Sequence, residues 1–412
     1  MREAHLDEAH LILDRCDELR AISSDPEKLV RVHLSPEHTA ANALVAEWMR
    51  DAGLSTWQDA AGNQCGRIEG REPGLPALLL GSHIDTVPDA GRYDGMLGVL
   101  LAISVAKRLS GADLPFALEV VAFSDEEGTR FGTALLGSRA LAGTWHDDWW
   151  NLTDENGITL FEAFQDFGLD PARLPSAFRR PDQLVGYLEA HIEQGPTLDD
   201  AARSLAVVTS IAGARRFELT MIGKAGHAGG TPFDRRKDAL VAASEVIITV
   251  ERLSRELGVI GTVGKVEVLP GGVNVIPGEV QFSLDLRAEF DEDRDEAVRR
   301  ILASAESVAA RRGLHFEHSE IYRADAVVCD VDLRAAVEEG IRSTGDDDPM
   351  AFWSRAGHDG MAVVAVAPIA MLFLRCKGGV SHHPDESVRV GDVAVALDAF
   401  EATVRGLAAT AS

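Results

Sequence analysis

The sequence is short of cysteine, of positive charge and of long apolar runs. Its 412 residues hold four cysteines (Cys16, Cys65, Cys329 and Cys376), far apart and without a CxxC pair. That excludes a disulfide framework and fits free thiols in a reducing compartment. Lys and Arg number 40 against 66 Asp and Glu, a formal charge of −26. A surface that acidic repels phosphate backbones and anionic lipid, which argues against nucleic-acid and membrane-surface partners. No stretch reaches the ~20 apolar residues of a membrane helix. The longest, MAVVAVAPIAMLFL, is broken by Pro368. The first ten residues, MREAHLDEAH, are polar and carry no apolar signal core. These absences predict a cytoplasmic protein.

What is present is an ordinary globular composition, 46% hydrophobic and 26% charged, on a chain long enough for two or three domains. Residues 4–22 and 36–52 carry helical periodicity, with Ser35-Pro36 as an N-cap and first-turn pair. ALLLGS (77–82) and FALEVVAFS (116–124) are continuous apolar runs separated by a helical pattern over 95–109. They read as strands buried on both faces of a mostly parallel α/β sheet. From about 211 the texture changes. Four alternating segments (215–223, 263–269, 279–287, 315–322) and two helical ones (235–257, 291–311) predict a smaller antiparallel sheet covered by helices on one face. After about 325 the buried texture returns, with a helix at 331–343, a strand at 368–374 and a helix at 390–408. The expectation is one α/β domain, residues 1–210 and 326–412, interrupted by an inserted α+β domain at 211–325.

Polar residues cluster where the apolar strands end, which is where open α/β sheets bind their ligands. GSHIDTVPDAGRYDG (81–95) places His83 and Asp85 directly after one strand and Asp94 before a glycine and a helix. His83 and Asp85 point the same way on an extended chain, so Asp85 could orient a His83 ligand. SDEEGTRFG (124–132) ends the next strand with Glu126 and Glu127 pointing apart, so that one can bind metal while the other handles protons. HIEQG (191–195) and GGVSHHPDE (378–386) add further histidines. Such imidazole and carboxylate donors suit zinc or manganese. Five ligands with one carboxylate shared would hold two cations ~3.5–4 Å apart, able to polarise a carbonyl and acidify a water.

The motifs GSHIDTV…YDGMLGVL, DEEGTRFGTALLGSRALAG, YLEAHIEQGPTLD, GKAGHAGGTPFDRRKDAL, GGVNVIPGEVQFSLDLR, SRAGHDGMA and GGVSHHPDE follow one another in a familiar order. With them the chain resembles the amidohydrolase branch of the dinuclear-zinc aminoacylase and carboxypeptidase superfamily. That branch holds allantoate amidohydrolases, N-carbamoyl-L-amino acid hydrolases, β-ureidopropionases and ureidoglycine or ureidoglycolate hydrolases. The resemblance implies two divalent ions, Zn²⁺ or Mn²⁺, per subunit. It implies His83 and His191 as ligands of the first, Glu127 and His382 as ligands of the second, Asp94 as the bridge and Glu126 as general base. Aligned on Ser381 and Pro384, the ligand is His382, and His383 is an exposed polar residue. It further implies that His227, in AGHAGGTP, stabilises the oxygen of the tetrahedral intermediate. Asn274 and Arg287 would clamp a substrate carboxylate, a task suited to the paired donors of arginine. Gln194, His358, Gly379 and Ser381 would line the substrate pocket.

The chain departs from the family pattern at Arg355, where glycine is usual, at Gly360, where alanine is usual, and at Tyr93, where phenylalanine is usual. The resemblance implies hydrolysis of a C–N bond in a small ureido carboxylate. It also implies a homodimer through the inserted domain, which would act as a lid, with strand 215–223 and helix 235–257 as the interface. The Arg-Cys pair in MLFLRCKGGVSHHPDES and the GTALLGSRALAG segment resemble the allantoate branch more than the N-carbamoyl-amino-acid branch. Allantoate is therefore the expected substrate, with N-carbamoyl-L-amino acids or ureidopropionate as alternatives. A non-catalytic binding protein on the same fold would have lost a ligand or the base, and all six positions are present.

Overall fold

A computed structural model describes residues 2–410. It divides into two compact units. One contains the chain up to Thr209, Val328–Phe352 and the chain from Ala356; the other contains Ser210–Val327 and Trp353–Arg355.

The first unit is organised by a mixed sheet in the order Ser55–Gln58, Gln64–Ile68, Ala117–Phe123, Ala77–His83, Leu184–Ile192, Ile369–Leu374, Leu205–Ile211 and Val327–Val328, with Met350–Ser354 beside Leu205–Ile211. Its four central strands, from Ala117–Phe123 to Ile369–Leu374, run parallel. Their flanking partners Gln64–Ile68 and Leu205–Ile211 run antiparallel. The parallel texture read from the sequence thus belongs to the centre, where both faces are covered. Every residue of Ala77–His83 and Ala117–Phe123 is buried. Helix Met96–Arg108 is buried from Met96 to Ala106, and helices Arg2–Arg20 and Val390–Thr410 contribute Ile12, Leu19, Leu397 and Phe400 to the same core. Helix Pro36–Asp51 begins as its sequence dictates: Ser35 accepts the His38 N–H and Pro36 occupies the first turn.

Strand Leu184–Ile192, which carries the HIEQG motif, escaped the sequence reading. Glu189 and His191 interrupt its apolar pattern, yet both are buried because the strand lies between two parallel neighbours.

The second unit is a five-stranded antiparallel sheet, Val266–Leu269, Glu279–Ala288, Gly213–Ile222 and His315–Ala324, with Ile260–Thr262 also paired to Glu279–Ala288. Helices Ala239–Leu257 and Asp291–Arg312 pack on it through Ala242, Val246, Val250, Ile301 and Ala305 against Phe217, Leu219, Leu284 and Leu286. The fifth strand is three residues long, too short to show alternation. The first helix starts at Ala239 rather than 235, because Asp238 caps it by accepting the Leu240 and Val241 N–H groups. Strand Gly213–Ile222 is hydrogen-bonded on both sides. Its edges are spent, so it cannot pair strand to strand with a second copy. One sheet edge is formed by Val266–Leu269 and Ile260–Thr262, the other by His315–Ala324.

Candidate metal centre

The four parallel strands each deliver residues from their carboxyl ends to one place. Ala77–His83 ends on His83, Ala117–Phe123 runs into Glu126 and Glu127, Leu184–Ile192 carries His191, and Ile369–Leu374 leads to His382. Asp94 follows in the loop after His83. Its Oδ1 lies 3.5 Å from His83 Nε2 and 3.1 Å from His191 Nε2, while its Oδ2 lies 3.1 Å from His382 Nε2. Glu127 Oε1 is 3.5 Å from the same nitrogen of His382. Two ligand groups result, His83–Asp94–His191 and Asp94–Glu127–His382, each with its donor atoms within 4.8 Å of one another and with Asp94 in common.

The tautomers fit a cation. His83 Nδ1 lies 3.1 Å from the Asp85 carbonyl and His191 Nδ1 lies 2.9 Å from the Ile192 carbonyl. Each Nδ1–H donates there, leaving an Nε2 lone pair facing the Asp94 carboxylate. His191 Nε2 is buried with no hydrogen-bond partner. Lone pair against carboxylate is repulsive unless a positive charge stands between them. Electrostatics say the same. Burial disfavours charge on His191, but Asp94 outweighs it and raises the imidazole pKa. Burial and then the Asp94 charge push Glu127 up to about 7, and burial and then Glu127 push Glu126 well above the usual carboxylate range.

Asp85 does more than the sequence suggested. Its Oδ1 is 3.3 Å from His83 Nδ1, and its two oxygens accept the N–H groups of Glu126 at 2.9 Å and Glu127 at 3.1 Å. One buried carboxylate therefore fixes both the histidine and the turn that aims the two glutamates. Glu126 completes a third group with His83 and Glu127, and a Cβ on Gly357 would stand 3.6 Å from its Oε1.

Gln194 and Ser381 also reach the centre. Gln194 Nε2 donates to Asp94 Oδ2 at 2.8 Å and lies 3.3 Å from both Ser381 Oγ and His382 Nε2. Gln194 and His382 both adopt positive φ, 56° and 54°, a strain that non-glycine residues carry mainly at functional sites. Gly379, at φ 69°, packs so tightly that a Cβ would fall 2.4 Å from the Gly195 carbonyl carbon. His358 is buried with its ring centroid 4.6 Å from that of His191, and burial, then His191, keep its pKa well below the ordinary value. His383 points elsewhere: it is exposed, and its Nδ1 accepts the Asp385 N–H.

The second unit holds the other expected residues. His227 pairs with Val275 in a two-stranded ribbon, so it stands beside Asn274, whose carbonyl accepts the Ala228 N–H. His227 Nδ1 accepts the Gly230 N–H at 3.0 Å, which leaves Nε2–H as an exposed donor. Arg287 is already engaged, donating from Nε to Asp285 at 2.9 Å and from Nη1 to the Arg355 carbonyl at 3.0 Å. Arg355 lays its own guanidinium 5.8 Å from the Trp353 ring centre.

Histidines and carboxylates in two groups that share the buried Asp94, the His83–Asp94–His191 group enclosed and the group with His382 open to solvent, beside an acid outside both groups, define a hydrolase-type candidate centre for two divalent cations. Residues 79–406 match the model of peptidase family M20/M25/M40. The chain is 40% identical over 400 residues to an N-carbamoyl-L-amino acid amidohydrolase of Geobacillus stearothermophilus, covering 96% of this chain and 97% of that one. It is 38% identical to an allantoate deiminase of Arabidopsis thaliana, covering 93% and 79%. Among solved structures it is similar to an amidase of the hydantoinase/carbamoylase family from Burkholderia multivorans, at 31% identity, with a TM-score of 0.89 and coverage of 97% and 98%. The chain belongs to peptidase family M20/M25/M40, and within it is a hydrolase of C–N bonds other than peptide bonds. Among the described residues no helix is long and apolar enough to cross a membrane.

Proposed function

We propose that the protein hydrolyses the ureido C–N bond of a small carboxylate, with allantoate as the substrate. The observation that carries this reading is the pair of ligand groups hinged on Asp94, with Glu126 beside them. Bound divalent cations would supply Lewis acidity there, polarising the substrate carbonyl and acidifying water. His83, Asp94 and His191 would hold one, and Asp94, Glu127 and His382 the other. Glu126 takes a proton from the attacking water and hands it to the leaving nitrogen. The water oxygen joins the carbamoyl carbon, the C–N bond breaks, and ammonia leaves. The carbamate that remains gives the amine and CO2. His227 offers Nε2–H to the developing oxyanion, and Asn274 and Arg287 receive the carboxylate.

Allantoate is favoured over an N-carbamoyl amino acid because Gln194 and Ser381, beside the ligand groups, offer polar partners to a second ureido arm. Two ureido arms need such partners, whereas an amino-acid side chain needs an apolar wall. The second reading, an N-carbamoyl-L-amino acid hydrolase, is favoured by the 40% identity to the Geobacillus enzyme. The Arg375–Cys376 pair does not bear on the choice chemically, since Arg375 is buried and bonded to Asp392 by two contacts of 2.8 Å.

Ammonia release from allantoate, N-carbamoyl amino acids, ureidopropionate and ureidoglycolate, with Mn²⁺ or Zn²⁺, tests the reading. Fastest release from allantoate is expected; no ammonia from any of the four would overturn the reading. A homodimer is proposed through the second unit, where Val241 and Ile248 leave an apolar stripe exposed on helix Ala239–Leu257. Light scattering on the purified protein checks it, with a monomer as the contrary result.

A further inference from the structure

Glu386 closes the GGVSHHPDE motif and is a buried acid that the proposed mechanism leaves unused. It is 1% exposed. Its Oε1 accepts two backbone N–H groups, from Tyr93 at 2.8 Å and Asp94 at 3.2 Å. Its Oε2 accepts the Ser381 hydroxyl at 2.8 Å. The loop before Asp94 is wrapped closely around this carboxyl: a Cβ on Gly91 would fall 2.2 Å from it. The serine oxygen also stands 3.2 Å from Asp94 Oδ2 and can accept from Gln194 Nε2 at 3.3 Å. A hydroxyl has one hydrogen to give. Glu386 and Asp94 therefore compete for it, and Glu386 is nearer.

We propose that Glu386 is a positioning residue for the metal centre: by taking the Ser381 proton it leaves the Asp94 carboxylate undiminished as a bridging donor, while its other oxygen pins the Asp94 backbone. The inference rests on Asp94 being a ligand. The geometry gives it a specific signature. In Glu386→Gln the two backbone N–H groups hold the amide oxygen at the Oε1 position, so the amide NH2 faces Ser381. The serine must then accept from it, and its single hydrogen turns to Asp94 Oδ2. That hydrogen bond draws charge from the bridging carboxylate and weakens its hold on a cation.

The measurement is Mn²⁺ and Zn²⁺ affinity of the metal-free protein, by titration against a chromophoric chelator. Unaltered protein, Glu386→Gln, Ser381→Ala and the double variant are compared, with near-UV circular dichroism confirming the fold of each. The expected result is a roughly tenfold loss of affinity in Glu386→Gln, and recovery of most of it in the double variant, where the diverted hydroxyl is gone. A purely structural Glu386 would give losses that multiply instead of cancelling. Multiplying losses, or a Glu386→Gln variant that binds as the unaltered protein does, overturns the inference and leaves the functional reading intact. Failure of the unaltered protein to bind any divalent ion overturns both.

Discussion

Gly95 faces His83 so closely that a Cβ added to it would lie 2.5 Å from the imidazole ring. The residue also sits at φ 68°, where a side chain is strained in any case. Its bareness is what lets Asp94 reach His83. Gly95→Ala should displace the imidazole and lose the cation of the His83–Asp94–His191 group. Elemental analysis checks it: about one ion fewer per chain, with far-UV circular dichroism unchanged.

Glu126→Gln should lower kcat by ~10²–10⁴, the usual worth of a positioned general base, while metal content stays at its normal level. Glu127→Gln should instead remove an ion. The opposite pattern would mean that the two adjacent glutamates exchange roles.

His382→Ala and His383→Ala make a matched pair. The first removes a donor 3.1 Å from Asp94 and should cost a cation and nearly all activity. The second removes an exposed ring and should leave metal content and kcat/KM within about twofold of the unaltered enzyme.

Arg287→Ala should raise KM and leave kcat largely unchanged, if the guanidinium grips a carboxylate present equally in ground and transition states. Folding should tolerate it, because Asp285 keeps a second partner in Arg216 at 2.8 Å. A fall in kcat at constant KM would move Arg287 from binding to chemistry.

Two histidines away from the metal centre set an acid limit on the fold. His33 and His38 are buried with ring centroids 5.8 Å apart. Burial, then the neighbouring His38, lowers His33 to about 3, and burial lowers His38 to about 4. Both are therefore neutral when folded, while the unfolded chain takes up protons below about pH 6.5. Their contribution is full above that pH and shrinks as pH falls toward 4 to 3, since the unfolded state binds more protons there. Urea midpoints should drop from pH 7 to pH 5. His38→Gln, which keeps an acceptor for the Leu34 N–H that now bonds Nδ1, should flatten that fall.

Much of the first unit was legible because its strands are uninterrupted apolar runs that end abruptly in charged motifs. His83, Glu126 and Glu127 follow such runs directly. Strand Leu184–Ile192 was hidden by Glu189 and His191, polar residues that are buried because the strand lies between two parallel neighbours. Asp85 could be paired with His83 by spacing. Its grip on the Glu126 and Glu127 amides joins positions 41 and 42 apart in sequence, and no local pattern reports that. Glu386 is hidden for the same reason, 293 residues from Tyr93. In the second unit, two-residue periodicity revealed the long strands, whereas Ile260–Thr262 was too brief to show any.

The close fit of Gly379 against Gly195 bears on how new substrate preferences could arise. The loops carrying Gln194 and His382 interlock at that point without room for a single methyl group, so neither can be remodelled independently. Variation in what the enzyme accepts is channelled to positions outside this lock.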